Sequence, residues 1–267
     1  MDRRPVIFYD SGIGGLCYGL SFHSRNPNER LVCIGDRANF PYGTKSKEEL
    51  IRITGSLTEK IISEFNPKLM ALACNAASVS ALAELRKRFP GLTIVGTVPA
   101  VKPAVLASKK RRIGVLGTGR TISDPCIGEL VSEFGPDCSV AGIAAPELVE
   151  FIEHRWADAG ETEKLSTAKF YIDQFRGKGT DALVLACTHF LFLRDEFKKI
   201  AGDEMAVYDS MDGINSRLEF FLDADSGNLR SDCKSGQQAA MAVTGEGTLE
   251  PYWEKLAAHF GVVLDRI

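Results

Sequence analysis

Short apolar runs that alternate with helical segments are the feature that most constrains the fold of this chain. Turn residues bound eight such runs, at 6–9, 31–34, 69–73, 93–98, 113–116, 139–143, 182–186 and 206–208. The runs are continuous in apolarity and often β-branched, which is typical of strands covered on both faces by helices. Ser46 and Glu49 match a capping box, and the apolar residues that follow are spaced three and four apart, as in an amphipathic helix. Strand alternating with helix predicts an α/β fold with a parallel sheet.

The eight runs form two series of four that resemble each other in order. The third run of each series ends on Leu-Ala-Cys, in LMALAC at 69–74 and in ALVLAC at 182–187. We therefore expect two pseudo-symmetric domains, each a mainly parallel sheet flanked by helices, with the active site in the cleft between them.

Composition narrows the functional classes. The chain has 267 residues, a net charge of −3, and 25% charged and 45% hydrophobic residues, which is ordinary for a globular protein. The dense basic run at 109–112 directly precedes an apolar run and is interpreted as a solvated strand entry, so nucleic acid is not an expected partner. Because no run approaches the roughly 20 apolar residues of a membrane span and none has the form of a signal peptide, we expect no membrane association and a cytoplasmic location.

The cysteine pattern points away from structural cross-links. Seven cysteines are scattered along the chain without CxxC spacing. In a reducing compartment this pattern predicts neither a disulfide framework nor a structural zinc site. Most of these cysteines are expected to be small buried hydrophobic residues, so any with a chemical role must be identified by position.

Polar residues follow the predicted strands at the points where ligands bind. In open α/β sheets the ligand site lies beyond the carboxyl ends of the strands. The candidates there are Asp10, Ser11, Asp36, Cys74, Asn75, Thr118, Glu147 or Glu153, Cys187, Thr188, His189, Asp209 and Ser210. The glycines at 12, 14 and 15 lack the GxGxxG spacing of a dinucleotide site, so a tight strand-to-helix turn is the favoured interpretation.

The two strand-end cysteines suit acid/base chemistry. A helix is predicted over 76–89, so Cys74 would lie near exposed backbone N–H groups that favour a thiolate. A free thiol titrates near pKa ~8.5, and a modest shift makes both thiol and thiolate accessible at neutral pH. If the two halves face each other, such a pair can remove a proton from one face of a substrate and return one to the other. Read singly, either cysteine could instead be a buried structural residue.

Five segments of this sequence resemble the cofactor-independent glutamate racemases of the aspartate/glutamate racemase superfamily. They are DSGIGGL at 10–16, GDRANFPYGTKS at 35–46, ACNAAS at 73–78, ACTHF at 186–190 and YDSMDGI at 208–214. The resemblance implies two pseudo-symmetric α/β domains, with the C-terminal segment returning to the first. The predicted limits are therefore 1–99 plus 210–267 for the first domain and 100–209 for the second. It also implies interconversion of L- and D-glutamate by two cysteines, without pyridoxal phosphate or metal, to supply D-glutamate for peptidoglycan. A homodimer is the expected oligomeric state.

By matching position, the resemblance assigns a role to each site residue. It implies that Cys74 and Cys187 are the catalytic bases. Around the glutamate substrate it places Asp10, Ser11, Tyr42, Gly43, Asn75, Ala76, Thr118, Thr121, Thr188 and His189. It also places His189, Asp36 and Glu153 near the thiols as tuning groups. Hydroxyl, amide and backbone N–H donors suit a substrate with two carboxylates, and they would stabilise a carbanion-like transition state at Cα.

Several positions depart from the family pattern or have simpler interpretations. Ala76 stands where the family usually has threonine, Phe190 and Leu191 replace tyrosine and proline, and Arg120 replaces glycine. These departures leave open a racemase of another acidic amino acid, such as aspartate, or a binding or regulatory protein that has lost catalysis. The simpler interpretations are a helix cap for Asp10 or Asp209, an exposed helix surface for Glu153, a satisfied core histidine for His189 and a metal fragment for residues 187–189.

Overall fold

The computed structural model describes residues 2–224, 229–231, 239–247 and 249–267 of the chain. The strands of this part are β1 (Val6–Asp10), β2 (Leu31–Gly35), β3 (Leu69–Leu72), β4 (Thr93–Gly96), β5 (Arg112–Gly117), β6 (Ser139–Ala144), β7 (Ala182–Ala186), β8 (Ala206–Tyr208), β9 (Ala240–Val243) and β10 (Val263–Arg266). Its α-helices are α1 (Gly15–Arg25), α2 (Lys47–Phe65), α3 (Asn75–Arg88), α4 (Val101–Ala107), α5 (Gly119–Ile122), α6 (Pro125–Phe134), α7 (Pro146–His154), α8 (Glu161–Gly177), α9 (Arg194–Ala201), α10 (Met211–Ala224) and α11 (Pro251–Phe260). Short 3₁₀ turns cover Arg37–Asn39, Tyr42–Thr44, Thr188–Leu193 and Gly202–Glu204.

The chain divides into two compact units. One contains Met1–Thr97 and Met211–Ile267, and the other contains Val98–Ser210. The domain limits expected from the sequence, 1–99 with 210–267 and 100–209, stay a prediction, because compactness alone does not show that a unit folds by itself. Each unit is described separately below.

The first unit is built on a six-stranded parallel sheet with the order β10-β9-β2-β1-β3-β4. Asp10 at the end of β1 is in register with Gly35 of β2, and Tyr9 is in register with Leu72 of β3. The carboxyl ends of the three central strands are therefore level. The residues that follow them, including Ser11 and Cys74, emerge at one edge of the sheet.

The second unit repeats this plan with a four-stranded parallel sheet in the order β6-β5-β7-β8. If the strands of this unit are counted along the chain, the sheet order is second, first, third, fourth. The β2-β1-β3-β4 part of the other sheet has the same order. Strands β3 and β7, which carry the Leu-Ala-Cys endings, therefore have equivalent neighbours. The prediction of an α/β fold with parallel sheets flanked by helices is confirmed, and so is the correspondence between the two series of strands.

All eight predicted strands are present, and the differences occur at sheet edges. The apolar run of β6 predicts a strand covered on both faces, yet four of its six residues are exposed because it lies at the edge of its sheet. The structure also has two strands near the C-terminus, β9 and β10, which are not among the eight predicted runs. Strand β10 reads VLDR and is mostly exposed, so it lacks the continuous apolar run that identifies a buried strand.

Local signals set several helix boundaries. The capping box is present at the start of α2, where Ser46 accepts from the backbone of Glu49 and the Glu49 side chain accepts from Ser46. Asp124 caps α6 by accepting from Cys126 N, and Pro125 occupies the first turn. In the part of the chain that is described, no helix is both long and apolar enough to cross a membrane.

The start of α3 is fixed to the sheet by Ser78. Its Oγ donates to Leu72 O at 3.0 Å, accepts from Thr97 N at 3.0 Å, and lies 3.1 Å from Thr97 Oγ1. Ser78 N donates to Cys74 O at 2.8 Å and so forms the first turn of the helix. These bonds hold the end of β3, the end of β4 and the Cys74 backbone in one arrangement.

Removing this hydroxyl should destabilise the fold. Ser78→Ala removes the hydroxyl that bonds Leu72 O and both Thr97 groups, and leaves only the longer bond from Thr97 N to Leu72 O at 3.3 Å, which costs about 1–3 kcal/mol of unfolding free energy. Ser80→Ala is the matched control, because the Ser80 hydroxyl is buried on the same helix and has no hydrogen-bond partner among the described residues. Urea denaturation should show a loss for Ser78→Ala and little change or a gain for Ser80→Ala. Equal effects of the two substitutions would contradict the anchoring role.

Candidate active site

Cys74 occupies the junction between a buried strand and a helix. Strand β3 is buried throughout, and Cys74 is the N-cap residue of α3, with φ −143° and ψ 117°. The extended backbone places the side chain at the carboxyl edge of the sheet, before the first free N–H groups of the helix. The residue is only 5% exposed. The predicted helix after Cys74 is present and begins at Asn75, one residue earlier than expected.

A serine and an aspartate lie beside the Cys74 sulfur. The Sγ atom is 3.9 Å from Ser11 Oγ, and Ser11 Oγ donates to Asp10 Oδ1 at 3.1 Å. Asp10 is buried at the end of β1. Gly15 allows α1 to begin close to this carboxylate, because a Cβ at that position would lie 3.1 Å from Asp10 Cβ. The glycine-rich segment is thus a tight strand-to-helix connection, as expected.

Asp36 is part of a buried network of hydroxyl groups. Tyr42 OH donates to Asp36 Oδ2 at 2.5 Å and lies 2.5 Å from Tyr9 OH. Since the Tyr42 proton is directed to Asp36, Tyr9 must donate to the Tyr42 oxygen. Thr244 Oγ1 donates to Asp36 Oδ1 at 2.6 Å, and Asn39 Nδ2 donates to both carboxylate oxygens at 3.1 and 3.0 Å. The carboxylate is therefore held in a fixed orientation by neutral donors.

The two tyrosines in this network remain protonated. Burial, followed by the charge of Asp36, raises the pKa of Tyr9 well above its usual value. Burial also raises the pKa of Tyr42 well above its usual value, with the charges of Tyr9 and Asp36 acting in the same direction. Both phenols therefore act as hydrogen-bond donors at neutral pH and do not serve as bases.

Asn75 is the most informative polar group in the first turn of α3. Its side chain is buried, 3% exposed, and neither Oδ1 nor Nδ2 has a hydrogen-bond partner among the described residues. An unpaired buried amide costs free energy, so native structures contain few of them, and this one is a candidate contact for a ligand. Ala76 follows it and is also buried, and Gly43 lies in the 3₁₀ turn with Tyr42.

Cys187 repeats the backbone geometry of Cys74 in the second unit. It follows the buried strand β7, with φ −142° and ψ 134°, and is 5% exposed. The 3₁₀ turn Thr188–Leu193 begins directly after it, and every residue of that turn is buried, including Phe190 and Leu191. The apolar pair that departs from the family pattern is accommodated by packing in the core.

His189 and Glu153 form a buried pair beside the second sulfur. Cys187 Sγ lies 3.9 Å from His189 Nδ1, and His189 Nε2 lies 2.7 Å from Glu153 Oε2. Burial alone would lower the pKa of His189, but hydrogen bonds to Cys187 and Glu153, together with their charges, raise it well above its usual value. At neutral pH His189 is therefore an imidazolium between a carboxylate and a sulfur. Glu153 is 2% exposed and is not part of the exposed helix surface.

The 3₁₀ turn is tied to the helix that carries Glu153. Trp156 follows α7, donates its Nε1–H to Phe192 O at 2.9 Å and packs edge-on against the Phe192 ring. This contact packs the end of α7 against the turn and so brings Glu153 close to His189. Three further predicted residues of this unit are Thr188, which is buried, and the pair Thr118 and Thr121, whose hydroxyl oxygens are 3.3 Å apart.

Asp209, a sequence candidate, and Arg120, a departure from the family pattern, both have structural partners. Asp209 forms an ion pair with Arg194, with Nε and Oδ2 2.7 Å apart, so its carboxylate orients the start of α9. Arg120 pairs with Asp124 at 3.3 Å. Within the described ranges, no group of three or more His, Cys, Asp or Glu side chains is placed to hold a metal ion.

The sequence interpretation missed Tyr9, Asn39 and Thr244, which complete the network around Asp36. Two signals could have found them. A buried tyrosine normally needs a partner for its hydroxyl, which points to Tyr9 next to Asp10. Thr244 directly follows β9, so the strand-end rule identifies it once β9 is recognised as part of the sheet.

Comparison with known proteins assigns the family. The family model described as Asp/Glu/Hydantoin racemase matches residues 21–213. A glutamate racemase of Treponema pallidum is 36% identical over 266 residues, which cover 98% of this chain and 96% of the relative. A glutamate racemase of Sphingopyxis alaskensis is 38% identical over 226 residues, 83% of each chain. The chain belongs to the Asp/Glu/hydantoin racemase family. The members of this family that it resembles are racemases, which are isomerases.

Solved structures agree with membership of the racemase family. A crystal structure of Escherichia coli glutamate racemase, in complex with L-glutamate and the activator UDP-MurNAc-ala, has a TM-score of 0.85 at 25% identity and covers 99% of this chain and 98% of that chain. Glutamate racemase from Aquifex pyrophilus has a TM-score of 0.71 at 29% identity, with coverage of 97% and 96%. The racemase family fold therefore extends over nearly the whole chain.

Replacing Glu153 with Gln should lower the pKa of His189. Burial lowers this pKa, and the neutral Gln would stabilise the imidazolium less than the Glu153 carboxylate does. A histidine with a raised pKa contributes stability that is fully present below the unfolded value of ~6.5 and is lost as the pH rises through the folded value. The stability difference between wild type and Glu153→Gln should thus be largest near pH ~6 and narrow at higher pH. Imidazole NMR titrations and urea denaturation measure the two effects.

Glu150→Gln provides the matched control for Glu153→Gln. Glu150 lies on the same helix and pairs with the exposed His154 at 3.3 Å. This substitution should leave the titration of His189 unchanged. A His189 pKa that is the same in Glu153→Gln and wild type would show that the carboxylate does not hold the imidazolium.

Proposed function

We propose that this protein is a glutamate racemase that interconverts L- and D-glutamate by two-base proton transfer, with Cys74 and Cys187 acting on opposite faces of Cα. The observation that carries the proposal is that two thiols occupy equivalent strand ends with the same backbone geometry, each beside a polar side chain within 3.9 Å. Membership of the racemase family and the names of the relatives support glutamate as the substrate.

The proton balance of the reaction is simple. One cysteine, as the thiolate, takes the Cα proton and becomes a thiol, and the electron pair of the broken C–H bond stays on the substrate. The other cysteine, as the thiol, donates a proton to the opposite face of Cα and becomes a thiolate. One proton leaves and one returns, so no oxidant or electron acceptor is needed. The reverse reaction uses the same groups in exchanged roles.

The surroundings of Cys187 suit its thiolate form. His189 can donate its Nδ1–H to the sulfur while its Nε2–H is held by Glu153 at 2.7 Å. An imidazolium beside the sulfur stabilises negative charge there, and Glu153 compensates the buried positive charge. His189 and Glu153 are therefore proposed as positioning and tuning residues rather than as proton acceptors from the substrate.

The surroundings of Cys74 differ in charge. Its neighbour Ser11 is neutral, and Asp10 behind Ser11 is a carboxylate, while the first turn of α3 contributes free backbone N–H groups. The helix end favours a thiolate, and a nearby carboxylate opposes it. Such a balance suits a group that must exist as both thiol and thiolate during one catalytic cycle. Asp10 and Asp36 remain proposed for the substrate ammonium or for tuning the thiol.

Glutamate requires donors for two carboxylates. We propose that these are provided by Ser11, Gly43, Asn75, Thr118, Thr121 and Thr188, with Tyr42 and Ala76 contributing backbone only. The Tyr42 hydroxyl proton and both N–H groups of His189 are directed to Asp36, Cys187 and Glu153. The unpaired amide of Asn75 is the strongest of these assignments, since a bound carboxylate would satisfy its Nδ2 donors. A donor to an oxyanion at Cα also stabilises the transition state more than the ground state.

The cellular role follows from this chemistry as a further part of the proposal. We propose a cytoplasmic, cofactor-independent homodimer that supplies D-glutamate for peptidoglycan. Racemisation of aspartate and binding without catalysis are the outcomes that would replace glutamate racemisation.

The decisive experiment follows circular dichroism of L-glutamate, D-glutamate and L-aspartate with purified, reduced protein in deuterated buffer. We expect both glutamate enantiomers to racemise and to acquire deuterium at Cα. Cys74→Ala and Cys187→Ala should each lose racemisation by at least about 10²–10⁴-fold, the usual contribution of a positioned acid/base group. Each variant should still exchange the Cα proton of one enantiomer, and the two variants should exchange opposite enantiomers.

Cys126→Ala is the matched control, since it removes a partly exposed thiol elsewhere in the second unit. It should racemise glutamate at the wild-type rate. Wild-type turnover by Cys74→Ala, or exchange of the same enantiomer by both single variants, would contradict the two-base mechanism. Turnover of aspartate without turnover of glutamate would reassign the substrate to aspartate. If neither amino acid acquires deuterium at Cα, the result would favour a binding protein without catalysis.

Asn75 can be tested independently of the thiols. Asn75→Leu keeps the approximate shape and removes an unpaired buried amide, so the fold should be as stable as wild type or more stable. Loss of a hydrogen bond to a carboxylate, about 1.5–3 kcal/mol, should raise KM for glutamate roughly 10- to 100-fold. The control Asn215→Leu alters a buried amide on α10 that donates to Ser21 and should leave KM unchanged. An unchanged KM in Asn75→Leu would remove this residue from the site.

A further inference from the structure

A cavity in the second unit lies outside the groups used for proton transfer. It has a volume of about 280 Å³ and opens between α7 and α8. Its walls include Glu147, Phe151, Arg155, Glu163, Phe170 and Tyr171. We name it the α7–α8 cavity. Its volume is large enough for a small organic molecule, although it is at the lower limit of typical ligand pockets.

Aromatic rings dominate the apolar part of the α7–α8 cavity. Phe170 is 63% exposed, which is unusual for a large aromatic side chain, and its ring packs edge-on against Tyr171 with centroids 5.1 Å apart. Phe151 contributes a third ring from α7. Grouped ring faces attract organic cations through their quadrupoles, as well as apolar bodies through the hydrophobic effect.

The charges around the α7–α8 cavity leave one uncompensated carboxylate. Arg155 and Glu163 form an ion pair across the two helices at 2.5 Å, and the Arg155 guanidinium also packs 5.7 Å from the Phe151 ring. Glu147 has no ion-pair partner among the described residues. Burial, and then the charge of Glu147, raises the pKa of Tyr171 to about 12, so the phenol is neutral. The lining therefore has a net charge of −1 beside aromatic rings.

Helix α7 connects this cavity to the Cys187 site. Glu147 and Phe151 line the cavity, whereas Glu153 of the same helix is buried and contacts His189 at 2.7 Å. A nine-residue helix moves as a unit, so a ligand that shifts α7 changes the Glu153–His189 distance. The strength of this contact depends steeply on that distance.

We propose that the α7–α8 cavity binds a small organic ammonium ion with an aromatic or apolar body, and that its occupancy disturbs the Glu153–His189 pair. Glu147 would bind the ammonium group, and Phe151, Phe170 and Tyr171 would contact the body. The proposed binding does not depend on any enzymatic activity, whereas an effect of the ligand on turnover rests on the proposed racemase function. In that case the ligand regulates proton transfer at Cys187.

The test uses phenethylammonium as the probe and 2-phenylethanol as its neutral counterpart. Calorimetry should show that Glu147→Gln weakens phenethylammonium binding by roughly fivefold to tenfold, as expected for loss of a partly exposed charge contact, and leaves 2-phenylethanol binding unchanged. Glu150→Gln, on the same helix but outside the cavity lining, should bind the probe as wild type does. Absence of binding to wild type, or equal binding to wild type and Glu147→Gln, overturns the proposal.

Coupling to the Cys187 site is measured without relying on turnover. Saturating phenethylammonium should shift the imidazole NMR signals of His189, and Glu147→Gln should require a correspondingly higher probe concentration. Unchanged His189 signals at saturation would overturn the coupling. In racemisation assays the probe should alter kcat, and a purely competitive rise in KM would place the probe in the substrate site instead. Loss of the racemase function alone would leave the calorimetric and NMR results intact.

Discussion

The N-cap position of a helix that follows a buried parallel strand is the constraint on which the candidate site depends. Cys74 and Cys187 both occupy such a junction, with φ and ψ within 1° and 17° of each other, at −143°, 117° and −142°, 134°. The extended N-cap backbone is what connects a strand to a helix. It leaves the side chain at the carboxyl edge of the sheet, where the remaining strand-end groups also emerge. The position of each sulfur is thus set by the sheet and does not depend on a flexible loop.

The two junctions have a similar backbone conformation, but the groups around the two sulfur atoms differ. The Cys74 sulfur has a neutral hydroxyl neighbour, with a buried carboxylate behind it, whereas the Cys187 sulfur has an imidazolium held by Glu153. Pseudo-symmetric elements have therefore acquired different electrostatic environments. This asymmetry suits the proposed two-base reaction, in which one cysteine starts as the thiolate and the other as the thiol. The α7–α8 cavity lies next to only one of the two environments.

Local sequence signals located most of the elements. Continuous apolar runs identified the eight strands, because a strand covered by helices must be apolar on both faces, and the capping box identified the start of α2. The same rule missed β10, whose exposed edge position allows polar residues. Strand-end residues are candidates for the site because the carboxyl ends of parallel strands emerge at one edge of the sheet. Tyr9 and Thr244 were not identified from the sequence, because their role depends on contacts with Tyr42 and Asp36, which are far away in sequence.

The sequence by itself determined the α/β class, the repeated order of strands, the family and the two cysteines as a pair, because each of these follows from local periodicity or from motifs of a few residues. Only the tertiary structure decided which polar groups touch. It joined Glu153 to His189 across 36 positions and Thr244 to Asp36 across 208, and it left the Asn75 amide buried without a partner among the described residues. The physical reason is that side-chain hydrogen bonds and burial depend on helix packing and strand register, and these are properties of the folded chain rather than of any segment.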